Sequence, residues 1–137
     1  MARQARNRGG IGLARASGLL MALAALACSV ACASPAEKKK EAAQASVRHF
    51  FAALPAGDCA VLGPLLATGG SARPCPTTVQ ELHSHGFQLV DIVSAEVDGR
   101  DANAVLVRAR MARGGTVRDE PVILRVELQD GGWKLRL

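Results

Sequence analysis

The sequence predicts an α+β domain in which N-terminal helices pack on a curved antiparallel sheet of about four strands. Before Gly86, apolar residues recur at the i, i+3, i+4 and i+7 spacing of a helix. After Gly86, apolar and polar residues alternate, which is the spacing of a half-buried strand. Short glycine-rich turns separate the alternating segments, as in antiparallel hairpins. Residues 34–137 are therefore expected to form this single domain.

Three helices are expected between Ser34 and Gly86, with a turn-rich loop at residues 69–74 before the third. Ser34 is placed as the N-cap of the first helix, with a proline directly after it. A Pro-Ala-Gly turn ends that helix, and Asp58 is placed to cap a short second helix that folds back on the first. Thr77 or Thr78 is expected to cap a short third helix that stops at Gly86.

The expected strands each have one apolar face and one polar face. The inward face is expected to carry Phe87, Leu89, Val93, Val97, Val105, Val107, Met111, Val122, Leu124, Trp133 and Leu135. The opposite face carries charges of both signs, on Glu96, Arg108, Arg110, Arg125, Glu127, Lys134 and Arg136. The sheet should bury its apolar face against the helices. Cross-strand ion pairs in water account for the mixed charges better than a site for an acidic partner.

Residues 1–33 have the pattern of a secretory signal peptide. An arginine-rich start precedes an apolar run at residues 18–27 and then a segment of small residues. The run fits the 7–15 residues or so of a signal h-region and falls short of the roughly 20 that a bilayer span needs. We therefore expect export, rather than a hydrophobic first helix of the folded domain.

Two cleavage patterns overlap at the end of the signal peptide. An A-x-A site stands directly before Ser34. The four residues that end at Cys28 resemble a bacterial lipobox, with an alanine where leucine is usual, and this pattern makes Cys28 a lipidated N-terminus. Lipidation there leaves Cys32 as a free thiol. We favour a membrane-anchored lipoprotein facing the periplasm or cell surface over a soluble secreted or periplasmic protein.

The charge balance of the mature chain argues against a nucleic-acid partner. The full chain carries 17 basic and 12 acidic residues, with a formal net charge of +5. Four arginines precede the apolar run, so their removal leaves 13 basic residues against 12 acidic ones. Without a basic excess, no nucleic acid is expected. The expected partner is a small ligand or another envelope protein.

Cys59 and Cys75 are the two cysteines of the expected mature domain. In an oxidising compartment such a pair is a disulfide candidate before it is a metal site, and no C-x-x-C spacing competes. Closing a loop of about 15 residues contributes on the order of 3 kcal/mol by loop entropy. Two free buried thiols are the alternative.

Three segments in order carry a resemblance to a known fold family. They are V-R-H-F-F-A-A-L followed by A-G-D at residues 47–58, H-G-F at 85–87, and G-G-W-K-L at 131–135. Over residues 36–137 the chain resembles the nuclear-transport-factor-2-like, or cystatin-like, superfamily and its small exported bacterial members. The resemblance implies a cone-shaped pocket that serves catalysis in some members and binding in others. The residues expected to line that pocket are Phe87, Leu89, Val107, Met111 and Trp133.

Asp91 is the candidate general base. Counting by twos from Phe87 places it on the inward face, where a carboxylate can act on a pocket ligand. The alternative is a β-bulge that turns Asp91 to water. Because both neighbours, Val90 and Ile92, are apolar, the bulge or a locally two-sided strand is favoured.

The other polar residues do not form a recognisable catalytic or metal-binding group. His49 is a possible assistant to Asp91, although an ordinary half-exposed helix histidine is the simpler interpretation. His83 and His85 are two residues apart, which points them to different sides of a helix, so no metal is expected. The ketosteroid-isomerase branch of the superfamily pairs an aspartate with a tyrosine, and this chain has no tyrosine. No phosphate-binding loop occurs, and no cofactor is expected.

These observations leave two functional hypotheses. The first is a non-catalytic envelope module that binds a small apolar ligand or a protein partner. The second is a small enzyme that uses Asp91 on a hydrophobic substrate. An inward Asp91 beside a cavity favours the enzyme, and an outward Asp91 favours the module. Because catalysis normally needs a base together with charge-stabilising donors, the almost wholly apolar inward face favours the module.

Overall fold

The computed structural model describes residues 33–137. Cys28, the signal peptide and its cleavage sites lie outside the described residues and stay predictions. The helices are α1 (Pro35–Ala53), α2 (Cys59–Leu62) and α3 (Cys75–Ser84), and the strands are β1 (Phe87–Asp98), β2 (Asp101–Arg113), β3 (Thr116–Val117), β4 (Val122–Gln129) and β5 (Gly132–Arg136). This order confirms the α+β class, with the two-residue β3 as an addition. None of the helices in residues 33–137 has the length and apolarity needed to cross a membrane.

Side-chain caps begin the first two helices at the expected residues. The Ser34 Oγ accepts a hydrogen bond from the backbone N–H of Glu37 at the start of α1 (3.2 Å). The Asp58 Oδ1 accepts one from the N–H of Ala60 at the start of α2 (2.8 Å). Between the two helices the chain reverses at Gly57, whose φ of 65° lies in the left-handed region. These local bonds satisfy N–H groups that a helix end leaves without a partner.

The start of α3 corrects the expectation of a threonine cap. Pro74 is the N-cap, Cys75 begins the helix, and Pro76 stands in its first turn. Thr78 lies inside the helix and is buried, with 2% of its surface exposed. Proline is pre-organised for the first turn of a helix, so the helix starts before Thr77 and needs no side-chain cap.

The sheet is antiparallel, with the strand order β1-β2-β4-β5 and with β3 paired to the end of β2. α1 packs against β1, β2 and β5, and the core lies in this interface. Its largest fully buried side chains are Phe50, Leu62, Leu135, Val47, Val105, Val107 and Val126. Burying this apolar face is the main stabilising contribution to the fold.

β1 contains two β-bulges, and the first of them decides where Asp91 points. The pairing register with β2 shifts after Leu89 and again after Ile92. The inserted residues are Val90 and Val93, which are 47% and 52% exposed. Because each inserted residue reverses the alternation of faces, Asp91 turns outward and Ile92 packs on the core. The expectation that Val93 points inward is therefore wrong.

Val122 is a second correction to the expected inward face. It is the first residue of β4 and is 40% exposed. Leu124, two residues further along, is buried as expected, and Val126 is buried as well. Val122 opposes Ala109 in the last pair of the β2–β4 register.

A disulfide joins α2 to α3. The Cys59 and Cys75 sulfur atoms are 2.07 Å apart, and their Cα atoms are 5.9 Å apart. Since α2 has only 4 residues and an isolated helix of that length is unstable in water, the covalent link holds α2 beside α3. The bridge expected from the sequence is thus formed between the first residues of the two helices.

Gly86 makes the tight passage from α3 into β1. Its φ is 60°, and a Cβ atom on it would lie 3.0 Å from the backbone nitrogen of Gly114. The Gly86 carbonyl accepts a hydrogen bond from that same N–H (3.1 Å). The absent side chain therefore lets the turn between α3 and β1 lie directly against the turn after β2.

Candidate functional site

An open groove of about 670 Å³ lies where the end of α1, the end of α3 and the start of β1 meet. Its volume is within the range of about 300–1,000 Å³ that small-molecule sites occupy. Phe51 and Leu54 are only 8% and 3% exposed and form its floor. The groove is lined by Arg48, Phe51, Ala52, Leu54, Pro55, Leu82, His83, Gly86, Phe87, Gln88 and Leu89.

Helical spacing brings the α1 residues of the groove together. Arg48, Phe51, Ala52 and Pro55 stand at i, i+3, i+4 and i+7, which places them on one face of the helix and the turn that follows it. From the other side, the first residues of β1 reach the groove just after the Gly86 turn. The groove is thus a product of packing α1 against the α3–β1 junction.

His83 forms one wall of the groove. Its Nε2 donates a hydrogen bond to the backbone carbonyl of Leu54 (2.6 Å). Gly57 leaves room for the ring, since a Cβ there would lie 3.2 Å from the His83 Cε1. His83 also lines a second groove of about 590 Å³, together with Ala56, Gly57, Cys59, Pro76, Val79 and Gln80.

The electrostatic character of the groove is positive. None of the residues that line it is acidic. Within residues 33–137, Arg48 forms no salt bridge, and its Nη2 donates one hydrogen bond, to the Gln44 Oε1 (3.3 Å). At the rim, the Arg113 guanidinium lies over the Phe87 ring, 5.6 Å from its centroid, and donates to the His85 Nδ1 (2.9 Å).

Asp91 lies outside this groove, paired with an arginine. Its two carboxylate oxygens accept hydrogen bonds from the Arg110 Nε (3.0 Å) and Nη2 (2.7 Å). The two side chains are 47% and 43% exposed. The bulge alternative is therefore the one that the structure adopts, and it turns the expected base away from the groove.

The second candidate catalytic residue, His49, also lies outside the lining. It is exposed on α1, next to Arg48 in the chain. Among the described residues, the side-chain hydrogen bonds of Asp91 come from Arg110 and not from His49. Likewise, no group of three or more His, Cys, Asp and Glu within residues 33–137 is placed to hold a metal ion.

The five residues expected to line a pocket divide into two sets. Phe87 and Leu89 line the groove. Val107 and Met111 are 0% and 4% exposed and belong to the core, so their expected pocket position is corrected. Trp133 packs at the edge of the core and does not line either groove. The physical reason is that α1 packs against β2 and β5, which carry these three residues.

Arg48 and His83 are the titratable residues of the groove, and the sequence interpretation gave neither a binding role. The position of Arg48 could have been found, because it continues the apolar i, i+3, i+4 face of α1. His83 carries no comparable signal. Its contact with Leu54 joins residues 29 positions apart, and only the packing of α3 against the turn after α1 produces it.

The outer face of the sheet holds an ion network. The Arg125 side chain pairs with Asp98, Asp101 and Glu127, while Glu127 also pairs with Arg136 (2.7 Å). Hydrogen bonds from Arg136 and then Arg125 outweigh the effect of burial and lower the pKa of Glu127 from 4.5 to about 2. These contacts agree with the expectation that ion pairs account for the mixed charges of this face.

Fold and groove together define an α+β protein with an open, mostly apolar groove at one end of its first helix. No protein-family model matches the chain, and no curated protein matches it either. Among solved structures it is similar to one from Sinorhizobium meliloti described as a "putative polyketide cyclase", at 20% identity and a TM-score of 0.42, covering 66% of this chain and 91% of that chain. A likeness of this degree carries no argument about function.

Proposed function

We propose that the chain is a non-catalytic binding module that takes a small apolar ligand into the groove. The observation that carries this proposal is the separation of the groove from the candidate base. Asp91 is half-exposed and held by Arg110, whereas the floor of the groove is formed by Phe51 and Leu54.

The chemistry of the groove supports binding over catalysis. A catalytic site normally combines a base with donors aimed at the developing charge. In the lining, the titratable side chains are Arg48 and His83. A guanidinium is not a base at neutral pH. The His83 Nε2 donates to the Leu54 carbonyl, which leaves Nδ1 as the basic nitrogen of that ring, and the lining holds no carboxylate, hydroxyl or thiol to act with it. The apolar lining instead favours a ligand that gains by leaving water.

Binding of the neutral fluorescent probe N-phenyl-1-naphthylamine tests the proposal. Ala52 lies in the lining and is exposed, so Ala52→Phe should fill the groove without disturbing the core. Ala42→Phe is the matched control, because Ala42 is an exposed alanine of the same helix outside the lining. Probe binding should persist in the control and be lost in Ala52→Phe. Equal binding by both variants, or no binding by the parent protein, would contradict the proposal.

A protein partner is the second candidate for binding. The observation that favours it is a set of exposed apolar side chains on the strands, with Val90, Val93 and Ile123 at 47%, 52% and 60% exposure. Cross-linking in intact cells, comparing the parent protein with Ile123→Lys, tests this candidate. A cross-linked envelope protein that Ile123→Lys no longer captures would support it, and identical cross-linking patterns would count against it.

The site of action in this proposal is the cell envelope, with the chain exported and anchored through Cys28. The signal-like residues 1–33 support this, and a disulfide such as Cys59–Cys75 is typical of exported proteins. Mass spectrometry of the mature protein is the test. A diacylglyceryl group on Cys28 supports the lipoprotein, whereas an N-terminus at Ser34 identifies the soluble exported form. An intact Met1 would overturn both.

A further inference from the structure

We infer that the ligand of the groove is a single-chain amphiphile whose carboxylate head group pairs with the Arg48 guanidinium. This inference rests on the proposed function and specifies the class of ligand that the same groove takes. The observations that support it are the position and the surroundings of Arg48, which lies at the edge of the apolar floor of the groove.

The surroundings of Arg48 leave its charge without compensation. Its hydrogen bond with Gln44 is to a neutral amide and is long, at 3.3 Å. No acidic residue lines the groove, and the one acid of α3, Glu81, forms a salt bridge with Arg73. An entering anion would therefore gain a charge-assisted hydrogen bond without displacing a carboxylate of the protein.

The geometry of α1 separates a polar end of the groove from an apolar one. Arg48 is followed along the helix by Phe51, Leu54 and Pro55, all of which line the groove. At 1.5 Å per residue, Arg48 and Pro55 are separated by about 10 Å along the axis. A ligand with its head group at Arg48 can therefore lay a short alkyl tail along the apolar floor.

A carboxylate is the head group that this arrangement fits. One guanidinium presents parallel N–H donors in a planar fork, which matches the two oxygens of a carboxylate. The rim adds a second cation, because Arg113 lies over the Phe87 ring beside the groove. The positive charges of Arg48 and Arg113 thus attract an anion to the opening of the groove, while the floor of the groove favours an apolar tail.

The test compares two ligands with equal tails, octanoate and 1-octanol. Each is titrated into ¹⁵N-labelled protein, and the backbone amide shifts of Gln88 and Leu89 report occupation of the groove. The variant is Arg48→Gln, and the matched control is Arg108→Gln. Arg108 is an exposed arginine of β2 between the buried Val107 and Ala109, so its side chain lies on the outer face of the sheet.

Octanoate should bind Arg48→Gln about tenfold more weakly than the parent protein, as expected for the loss of a charge-assisted hydrogen bond. The affinity for 1-octanol should not change, and Arg108→Gln should bind both ligands as the parent does. Binding of 1-octanol together with an unchanged octanoate affinity in Arg48→Gln would overturn this inference and leave the binding module intact. If neither ligand shifts the groove amides of the parent protein, both proposals fail.

Discussion

Replacing Glu127 with glutamine is expected to destabilise the fold, and the size of the effect should depend on pH. Glu127 accepts hydrogen bonds from Arg125 (2.8 Å) and Arg136 (2.7 Å) on the outer face of the sheet. Its side chain is only 15% exposed. The variant keeps the shape of the side chain and removes the charge on which both pairs depend.

The lowered pKa of Glu127 sets the size of the expected loss in the free energy of unfolding. A pKa of about 2 in the folded protein against 4.5 in the unfolded chain corresponds to about 3 kcal/mol. This is an upper bound, because the Arg125 and Arg136 side chains are 33% and 25% exposed and water screens them. We expect Glu127→Gln to lower the free energy of unfolding by about 1–2 kcal/mol at pH 7.

The stability that Glu127 contributes should decrease as the pH falls. Since the folded state holds the carboxylate in its charged form, the contribution of Glu127 is complete above pH 4.5 and decreases as the pH falls toward 2. Parent and variant should therefore differ most at neutral pH and converge in acid.

Urea unfolding followed by the fluorescence of Trp133, the single tryptophan of the chain, measures the difference at each pH. Glu120→Gln is the control, because Glu120 is exposed and forms no salt bridge within residues 33–137. A Glu127→Gln deficit that is equal at pH 7 and pH 3, or an equal deficit in the control, would refute the assignment of this stability to the charge of Glu127.

Three further changes have defined outcomes. Serine at both Cys59 and Cys75 should lower the free energy of unfolding by about 3 kcal/mol in the same urea assay, because it reopens a loop between residues 16 apart; a difference near zero would contradict this. Gly86→Ala should cost more than about 1 kcal/mol in thermal melts, since its φ is 60° and Gly114 lies too close. Asp91→Asn should change stability by less than about 1 kcal/mol and preserve function in a complementation assay; a folded but inactive variant would identify Asp91 as functional.

The sequence by itself determined the features that depend on neighbouring residues. Ser34 and Asp58 cap helices at the expected places, because an N-cap bond joins groups only two or three residues apart. The change from a helical to an alternating pattern at Gly86 marks the start of the sheet for the same reason. The pairing of Cys59 with Cys75 could be predicted because these are the two cysteines after residue 33.

Only the tertiary structure decided the direction of Asp91 and the place of the groove. Alternation assigned Asp91 and Val93 to one face, and the apolar neighbours of Asp91 favoured a bulge or a two-sided strand. Which of these forms depends on how β1 pairs with β2, and the pairing shows the bulge. Val107 and Met111 are core residues because α1 covers the sheet above them. His83 becomes a wall of the groove through its bond to a carbonyl 29 residues away. Such positions depend on the packing of distant segments, whose contacts are fixed only when the whole chain has folded.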